Sequence, residues 1–546
     1  MIPSQQSLGD DISDVGGLLQ AQAARFGDVV AVVDATTALT YADLEARTAQ
    51  SAAALQDEVR PGDRIALWGQ NTVEWVVLAL ALGRLGATVV PLNTRYRRAE
   101  LGHALQLTGA RHLFTDRVAF SNPLWDTAQE LCLRPDGAVN AEAFAQLESL
   151  RLIGDRLVSR DPVAAEQDPA LRADDVAVVF FTSGSTGYPK AAAHSQQSLI
   201  RHAGNVARRQ GLSHLDRVLL AVPLCGSFGY LILMECLAAG ATACLTSESA
   251  PQRLADFLLR HRCSVLNITD AYLTPFLKAD DTTCLRHARV AAGGVFEVNP
   301  LEFTRQLDAE GITFSHAYGM SEVHAMTFLS PADAPAEDRA APGGPAVTPN
   351  TEVRVVDEGT GEVLPPGERG IMQVRGPVVM LGYLSCRPDG AVEVADARDE
   401  QGWISTGDLA SIDHRGHVEY LGRAKQALRL RGFLVAPSEI ENFLMTHPDV
   451  DVCKVVGVRS ERGLDAIAFF ESGAEPTDRL VADMLGWCRR ELANYKVPAA
   501  LFMVSEIPRI EGSTGKKIDI QQLEQLAARW LQEPREAAPL AAAYRD

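Results

Sequence analysis

The stretch FFTSGSTGYPK, residues 180–190, decides how this chain is interpreted. It continues the apolar run VAVV, which we expect to be a buried strand, and it ends at Lys190. Its glycines let backbone N–H groups approach a ligand closely, and its hydroxyls and the Lys190 ammonium add further donors. These groups predict a loop that holds a triphosphate, formed by Thr182, Ser183, Gly184, Ser185, Thr186 and Gly187.

The spacing of this loop leaves a simpler alternative open. The loop does not follow the pattern GxxxxGK[ST], because Gly184 and Gly187 lie too close together and neither Ser nor Thr follows Lys190. Taken alone, the segment is more simply explained as a flexible turn. Its function therefore depends on what the rest of the chain supplies.

The bulk composition narrows the class of protein. A chain of 546 residues is too long for one ordinary core, so we expect more than one domain. A net charge of −19 argues against sequence-independent nucleic-acid binding and against docking on anionic membranes, since both need clustered Lys and Arg. Nine cysteines without a CxxC pair, together with the lack of a signal peptide or an apolar spanning run, favour a cytoplasmic protein without a membrane span or structural zinc.

The order of apolar runs predicts an α/β fold. Short apolar runs such as VAVVFFT (176–182) alternate with helical stretches, which indicates parallel-rich sheets flanked by helices, although the stretch 118–175 carries little strand signal. After about residue 340, frequent turn signals separate short β-runs and predict a small β-barrel-like portion. A small α+β pattern ends the chain. We therefore predict a large N-terminal domain at 1–424 and a small C-terminal domain at 425–546.

Four further motifs carry side chains suited to a nucleotide. HAYGMSEVH (316–324) offers an aromatic ring for a purine and a carboxylate for Mg²⁺, and WISTGDLA (403–410) offers a carboxylate for ribose hydroxyls. GRAKQALRLRGF (422–433) supplies cations, and STGKKIDI (513–520) places lysine on a glycine turn. Each has an ordinary alternative: a loop, a turn aspartate, a solvated basic face and a surface lysine.

Together and in this order, the five motifs resemble the ANL superfamily of adenylate-forming enzymes, and the phrase LRGFLVAPSEIE resembles its acyl-CoA synthetase branch. The similarity runs over nearly the whole chain, from TYADLEARTAQSAAAL (40–55) to the glycine–lysine turn. It implies ATP, Mg²⁺ and coenzyme A as cofactors and a small-molecule carboxylic acid as substrate. The acid is first converted to acyl-AMP and then transferred to coenzyme A, while a mobile C-terminal domain swings between the two steps. Homodimers occur in the superfamily, and this sequence does not require one.

The resemblance assigns a role to each matching residue. By similarity, the loop from Thr182 to Lys190 closes over the β- and γ-phosphates, and the implied catalytic residues are Lys190, Glu322, which binds Mg²⁺, and Lys516, which bridges the acid and the α-phosphate. The implied nucleotide and coenzyme A contacts are Tyr318 on adenine, Gly319, Ser321, Asp408 on the ribose, Arg423 and Gly432. Lys425 matches the hinge of the C-terminal domain.

Two departures from the superfamily affect the first half-reaction. Gln426 follows the hinge where an acidic residue is usual, and the segment PRIEGSTGKK is about two residues longer than the common turn. Lys517 is therefore an alternative to Lys516. Three other functions also stay open: thioesterification of a preformed acyl-adenylate, loading of a separate carrier protein, and non-catalytic nucleotide binding.

The segment AVPLCGSFGYL (221–231) is expected to line the acid pocket. It contains no acidic residue to hold an ammonium group, which argues against an amino-acid substrate, and Gly226 stands where many acyl-CoA ligases have histidine. Small residues around it predict a roomy, mostly apolar pocket for a bulky aromatic or polycyclic acid. Alternatively, large side chains such as Phe228 or Phe296 fill that space. The predicted pocket residues are Cys225, Gly226, Phe228, Gly229, Gly293 and Gly294.

Overall fold

Most of the chain is described in a computed structural model. The described residues are 12, 14–154, 174–182, 189–279, 281–296, 298–387, 389, 391–430, 433–460, 463–475, 477–492, 496–512, 515–530 and 541–543. Within these ranges, none of the helices combines the length and apolarity needed to cross a membrane.

Helices and strands alternate along the first part of the chain. The helices are α1 (Val15–Phe26), α2 (Tyr41–Leu55), α3 (Val73–Arg84), α4 (Arg98–Thr108), α5 (Leu124–Cys132), α6 (Gln196–Arg209), α7 (Ser227–Ala239), α8 (Pro251–His261), α9 (Asp270–Lys278), α10 (Pro300–Ala309) and α11 (Ala336–Ala340). The strands are β1 (Val30–Val33), β2 (Ala38–Thr40), β3 (Arg64–Trp68), β4 (Thr88–Pro91), β5 (His112–Thr115), β6 (Ser149–Leu152), β7 (Val176–Thr182), β8 (Lys190–Ser195), β9 (Arg217–Leu220), β10 (Thr242–Leu245), β11 (Val265–Asn267), β12 (Val290–Gly293), β13 (Thr313–His316), β14 (Tyr318–Met320), β15 (His324–Phe328) and β16 (Gly343–Gly344).

Strands dominate the remainder. They are β17 (Glu352–Val356), β18 (Arg369–Arg375), β19 (Gly382–Cys386), β20 (Val392–Ala395), β21 (Ile404–Ile412), β22 (Val418–Arg423), β23 (Leu428–Leu430), β24 (Phe433–Val435), β25 (Val452–Ser460), β26 (Gly463–Glu471), β27 (Ala500–Met503), β28 (Arg509–Gly512), β29 (Gly515–Ile518) and β30 (Ala541–Ala543). The helices there are α12 (Pro437–Leu444), α13 (Asp478–Glu491) and α14 (Ile520–Trp530).

Two large sheets form the framework, which confirms the predicted parallel-rich α/β class. One has the order β13-β12-β11-β9-β10-β1-β2 and is parallel except for β2. The other has the order β20-β19-β8-β7-β4-β3-β5-β6, in which the strands from β7 to β6 are parallel and the rest antiparallel. Side chains of both sheets and of α3, α6 and α7 share one hydrophobic core. Helix α7 is buried over almost its whole circumference, as its uniformly apolar sequence requires.

The predicted barrel-like portion is a five-stranded antiparallel sheet. Its order is β16-β22-β21-β18-β17, and its inner face has a separate hydrophobic cluster with β14, β15 and β19. Strands β19 and β20 lie in the same stretch of sequence but leave this sheet. They extend the edge of the eight-stranded sheet, because β19 pairs with β8.

The end of the chain folds as the predicted α+β unit. Strands β25, β26, β27 and β30 form one sheet, and two hydrophobic clusters cover it with α12, α13 and α14. Helix α12 contacts the preceding part through an ion pair of 2.5 Å between Arg369 and Glu439 and a 2.5 Å hydrogen bond from Ser438 Oγ to the Leu421 carbonyl. A short 3₁₀ turn at Ala424–Gln426 precedes this unit and contains Lys425.

Candidate functional site

A cavity of about 1110 Å³ lies where the two large sheets meet the five-stranded sheet. Its walls come from the ends of β7 and β8, from the turn after β12, from the β14–β15 hairpin and from one face of β17, β18 and β21. This volume exceeds the range of about 300–1,000 Å³ that holds an ordinary small ligand. The cavity therefore has room for a nucleotide together with a second substrate.

Two ends of the predicted phosphate loop face this cavity. Thr182 ends β7, Lys190 begins β8, and the two are paired across the hairpin, so both line the same wall. Residues 183–188, which contain Ser183, Gly184, Ser185, Thr186 and Gly187 of the predicted loop, lie outside the described residues. The ammonium of Lys190 lies 4.7 Å from the centre of the Tyr383 ring, a cation–π contact that fixes its direction.

Tyr383 also contacts the candidate metal ligand. Its hydroxyl donates a 2.9 Å hydrogen bond to Oε1 of Glu322, which is almost buried. Burial, followed by the negative charge of Glu322, raises the pKa of Tyr383, so the phenol stays a donor at neutral pH. One ring of β19 thus contacts both Lys190 and Glu322, which are separated by 132 residues of sequence (322 − 190).

The single carboxylate of Glu322 fits a Mg²⁺ site completed by a substrate. The described residues contain no cluster of three or more His, Cys, Asp or Glu side chains arranged around a metal. Mg²⁺ commonly binds proteins through one or two carboxylates while phosphate oxygens and water supply the other ligands. Oε1 of Glu322 accepts the hydrogen bond from Tyr383, and the second carboxylate oxygen, Oε2, suits a bond to Mg²⁺.

Tyr318 and Asp408 lie directly behind the cavity wall and do not line it themselves. The Tyr318 hydroxyl donates a 2.6 Å hydrogen bond to Oδ2 of Asp408, and its ring packs against Phe328 and Tyr420. Arg423, which does line the cavity, lies 2.9 Å from Oδ1 of Asp408. Burial raises the pKa of Asp408, while Arg423 and Tyr318 act in the opposite direction. The carboxylate is therefore fixed from two sides.

A bulge places Asp408 at this position. Between the pairs Ile371–Leu409 and Gln373–Ser405, three residues of β21 face one residue of β18. Gly407, in the middle, has φ of +69°, which glycine adopts without steric cost. The extra residues bend the strand and turn Thr406 and Gly407 towards the cavity. This is the structural meaning of the predicted STGD motif.

The β14–β15 hairpin carries the remaining predicted nucleotide contacts. Gly319, Ser321 and Glu322 line the cavity. A Cβ atom at Gly319 would lie 2.6 Å from the Cα of Ala325, so the crossing of the two strands requires glycine there. The backbone of Gly319 is consequently accessible from the cavity side.

Five of the six residues predicted for the acid pocket line the cavity. Cys225, Gly226 and Phe228 line the cavity, as do Gly293 and Gly294. Gly229 does not, which corrects its inclusion. It lies in the first turn of α7, where an added Cβ would approach the Pro223 carbonyl oxygen to 2.2 Å, so its small size serves helix packing.

The three predicted glycines that do line the cavity have different surroundings. An added Cβ would come within 1.9 Å of the Ile268 carbonyl oxygen at Gly293 and within 2.4 Å of the Phe296 ring at Gly294. Gly293 is thus required by backbone packing, and Phe296 fills the space beside Gly294. At Gly226 an added Cβ would meet only an ordinary contact with a described residue, the Pro223 carbonyl oxygen at 3.7 Å, so that position does leave room.

The predicted hinge residue lies at the cavity, and the two candidate catalytic lysines lie in the C-terminal unit. Lys425 and Gln426 line the cavity. Lys516 and Lys517 lie in β29, where their backbone partners are Glu511 and Ile510 of β28. Gly432 lies outside the described residues.

Tyr383 is a cavity residue that the sequence patterns do not predict. It lies 61 residues from its hydrogen-bond partner Glu322 and belongs to a strand that joins a sheet formed mainly by much earlier sequence. The only local signal is an aromatic residue next to glycine in MLGYL, which does not predict a contact with Lys190 or Glu322.

Family models and known proteins extend these observations. The sequence model described as AMP-binding enzyme matches residues 19–384, and that of the AMP-binding enzyme C-terminal domain matches residues 439–516. The chain is 32% identical over 516 residues to the 3-[(3aS,4S,7aS)-7a-methyl-1,5-dioxo-octahydro-1H-inden-4-yl]propanoyl:CoA ligase of Rhodococcus jostii, covering 90% of this chain and 95% of that protein. It is 31% identical over 483 residues to the feruloyl-CoA synthase of an Amycolatopsis species, covering 86% and 91%.

A solved structure shows the same overall similarity. ATP-bound MatB from Rhodopseudomonas palustris aligns with a TM-score of 0.77 at 26% identity, over 94% of this chain and 98% of that one. Fold and cavity together define an adenylate-forming enzyme of the ANL superfamily. The chain belongs to the AMP-binding enzyme family, in its acyl-CoA synthetase branch. It is an ATP-dependent acid–thiol ligase that uses coenzyme A.

Proposed function

We propose that this ligase activates a bulky aromatic or polycyclic carboxylic acid as acyl-AMP and then transfers the acyl group to coenzyme A. The observation that carries the proposal is one cavity whose lining has two chemically different parts. Lys190 and Glu322, which both contact Tyr383, form a charged part, and Cys225, Gly226 and Phe228, around the start of α7, belong to a more apolar part. A cationic, carboxylate-bearing part suits Mg²⁺ and phosphates, while the apolar part suits a hydrocarbon acid.

At the phosphate end, the protein's task is positioning. Lys190, directed by the Tyr383 ring, would neutralise charge on the departing pyrophosphate, and the segment from Ser183 to Gly187 would supply backbone N–H donors. Glu322 would hold Mg²⁺, which neutralises phosphate charge during the displacement. Little covalent chemistry is required of the protein, so a precise arrangement of these charges accounts for most of the catalysis.

At the nucleoside end, Asp408 would bind the ribose hydroxyls with Arg423 beside it. The carboxylate lies behind Gly407 and is held by Tyr318 and Arg423, which gives it a fixed orientation. We propose that adenine rests on the wall formed by the β14–β15 hairpin around Gly319. Tyr318 would support that wall through its packing rather than through a large exposed face.

Aromatic side chains in the cavity lining support the choice of acid. Tyr96, Phe181, Phe228 and Phe296 all line the cavity, and flat rings pack well in stacked or edge-on geometry. Gly226 adds space where a larger residue would narrow the pocket. The named acyl groups of the two relatives, a fused two-ring propanoyl and feruloyl, are consistent with this proposal.

We further propose that residues 425–546 move about Lys425 between the half-reactions. In the first, Lys516 would bridge the acid carboxylate and the α-phosphate. In the second, the face around Gly432 would replace it and admit the thiol, which attacks the acyl carbonyl carbon and releases AMP. Lys425 lines the cavity and lies in a short turn that joins β22 to the following unit.

The proposal is tested by acid-dependent exchange of pyrophosphate into ATP over a panel of acids. We expect exchange to be fastest with feruloyl-type and fused-ring acids and slow with acetate and propionate. Fastest turnover of acetate would contradict the bulky-acid proposal.

The same exchange assay tests the catalytic lysine. Lys516→Ala is expected to abolish exchange while leaving thioester formation from a supplied acyl-adenylate, and Lys517→Ala serves as the matched control. Loss of exchange only in Lys517→Ala would transfer the role to that residue.

A further inference from the structure

Three buried histidines from three separate elements form a stack behind the cavity. His194 lies in β8, His202 in α6 and His324 in β15. The ring of His324 is central: its centroid lies 3.9 Å from that of His194 and 5.1 Å from that of His202. All three side chains are essentially inaccessible to solvent. The stack therefore joins an inner strand of the eight-stranded sheet, a core helix and the hairpin that carries Glu322.

The hydrogen bonds determine the tautomer of each ring. His194 Nε2 lies 2.6 Å from the Ser321 carbonyl, and His202 Nε2 lies 2.7 Å from the Ala325 carbonyl. Because a carbonyl oxygen can only accept, both Nε2 atoms must carry a proton. The Thr348 hydroxyl, 2.8 Å from His202 Nδ1, can then donate to that nitrogen.

The same reasoning applies to the central ring. Ser198 Oγ lies 2.7 Å from the Pro377 carbonyl and 2.9 Å from His324 Nε2. The single hydroxyl proton goes to the carbonyl, which leaves Oγ as the acceptor for His324 Nε2–H. Three imidazoles thus each donate from Nε2 to a fixed acceptor.

Two of these acceptors bracket Glu322. The Ser321 carbonyl precedes it and the Ala325 carbonyl follows it by three residues, and each is held by one histidine. The backbone at the start of β15 is irregular: His324 and Met326 both have left-handed φ values, +66° and +52°. Such conformations in residues other than glycine persist only where the surroundings hold them in place. The stack provides that restraint.

We propose that His194, His202 and His324 are positioning residues that hold the Glu322 turn in the geometry needed for adenylation. This inference rests on the role proposed for Glu322 as a Mg²⁺ ligand. The stack does not touch substrate. It fixes the backbone on both sides of the carboxylate, while Tyr383 fixes the carboxylate itself. A displacement of about 1 Å in such a group can cost on the order of 100-fold in rate.

The experiment compares two substitutions at one histidine. His194→Gln keeps an N–H donor near the Nε2 position, whereas His194→Leu removes it. His112→Leu is the matched control, because His112 is also buried and hydrogen-bonded, to Ser149 Oγ at 2.8 Å, but lies in β5 away from the hairpin. The melting temperature of each variant shows whether it is folded at the temperature of the assay.

The readouts separate positioning from stability. For His194→Leu we expect the Mg²⁺ concentration for half-maximal pyrophosphate exchange to rise about tenfold or more, with thioester formation from supplied acyl-adenylate within about twofold of wild type. His194→Gln should recover most of the exchange, and His112→Leu should change neither readout.

Two other outcomes would count against these proposals and can be told apart. Exchange unchanged in folded His194→Leu, while the wild type exchanges normally, would overturn the positioning role alone. A wild-type protein without any Mg²⁺-dependent exchange would overturn both this inference and the proposed function beneath it.

Discussion

Tyr318 donates a 2.6 Å hydrogen bond to the carboxylate of Asp408, which is only 2% exposed. Because the hydroxyl hydrogen bond favours the charged carboxylate, Tyr318 lowers the pKa of Asp408 against the larger effect of burial, which raises it. Two motifs 90 residues apart in sequence therefore form one unit behind the nucleoside end of the cavity.

Removing that hydroxyl should weaken ATP use. We predict that Tyr318→Phe raises the pKa of Asp408 and lowers kcat/KM for ATP by roughly tenfold, the scale of a lost hydrogen bond to a charged group. The control is Tyr420→Phe, because the Tyr420 ring lies 5.2 Å from Tyr318 but makes no hydrogen bond to Asp408 among the described residues. Equal effects of the two substitutions would contradict a specific role for the Tyr318 hydroxyl.

Tyr383 allows its two contacts to be separated. Tyr383→Phe removes the hydrogen bond to Glu322 but keeps the ring beneath Lys190, so we expect a weaker response to Mg²⁺ with a nearly unchanged KM for ATP. Tyr383→Leu removes both contacts and should also raise the KM for ATP several-fold, in line with a cation–π energy of about 0.5–2 kcal/mol. The measurement is the initial exchange rate over a grid of Mg²⁺ and ATP concentrations. If both variants raise the KM for ATP equally, the separate roles are wrong.

Two cavity glycines should respond differently to alanine. Gly293→Ala forces a Cβ to 1.9 Å from the Ile268 carbonyl oxygen, so we expect strong destabilisation, about 1–3 kcal/mol or more. Gly226→Ala meets its nearest neighbour at 3.7 Å and should leave stability almost unchanged while lowering activity with the largest acids. Thermal melting and the acid panel measure the two effects. A destabilised Gly226→Ala protein would show that this position is not the open one.

Glu235 should make stability depend on pH. It is fully buried in α7, where Asn267 Nδ2 and Gln210 Nε2 donate to it at 2.5 and 3.1 Å, and burial raises its pKa from 4.5 to about 8. Between pH 4.5 and 8 the unfolded chain has lost this proton while the folded protein keeps it, so stability falls as pH rises through that window. We predict that Glu235→Gln flattens the decline and melts a few degrees higher than wild type at pH 8.

The matched control for that prediction is Glu419→Gln, which removes an exposed carboxylate from β22. It should leave the wild-type pH dependence intact. Identical melting curves for Glu235→Gln and wild type across pH 5–8 would show that Glu235 does not bind its proton differently in the folded protein.

Much of the fold could be predicted because a buried strand or helix carries a run of apolar residues in its own sequence. The run VAVVFFT coincides with β7, and the boundaries of α3 and α7 follow their cap residues Thr72 and Gly240. The sequence does not indicate strand β6, because all four of its residues are only half buried at a sheet edge, which leaves no apolar run. Nor does it indicate the pairing of β19 with β8, because a local pattern does not specify which sheet a strand joins.

For the site, the residues that line the cavity are easier to predict from the sequence than the contacts that each of them makes. The motifs placed Lys190, Ser321 and Glu322 at a common cavity, and the structure brings them together. Small residues were harder to interpret, because Gly229 and Gly293 are small to accommodate backbone atoms of Pro223 and Ile268. Such contacts depend on distant segments meeting in three dimensions, which no spacing in the sequence records.

The formation of acyl-CoA by way of acyl-AMP is tested by following both half-reactions in one sample of wild-type protein. ATP, Mg²⁺ and a fused-ring or feruloyl-type acid are mixed first without coenzyme A, and pyrophosphate is measured; coenzyme A is then added, and AMP and acyl-CoA are measured. We predict acid-dependent pyrophosphate release in the first stage and equal amounts of AMP and acyl-CoA in the second. Acyl-CoA formed only when an acyl-adenylate is supplied, with no pyrophosphate released from ATP, would contradict the account.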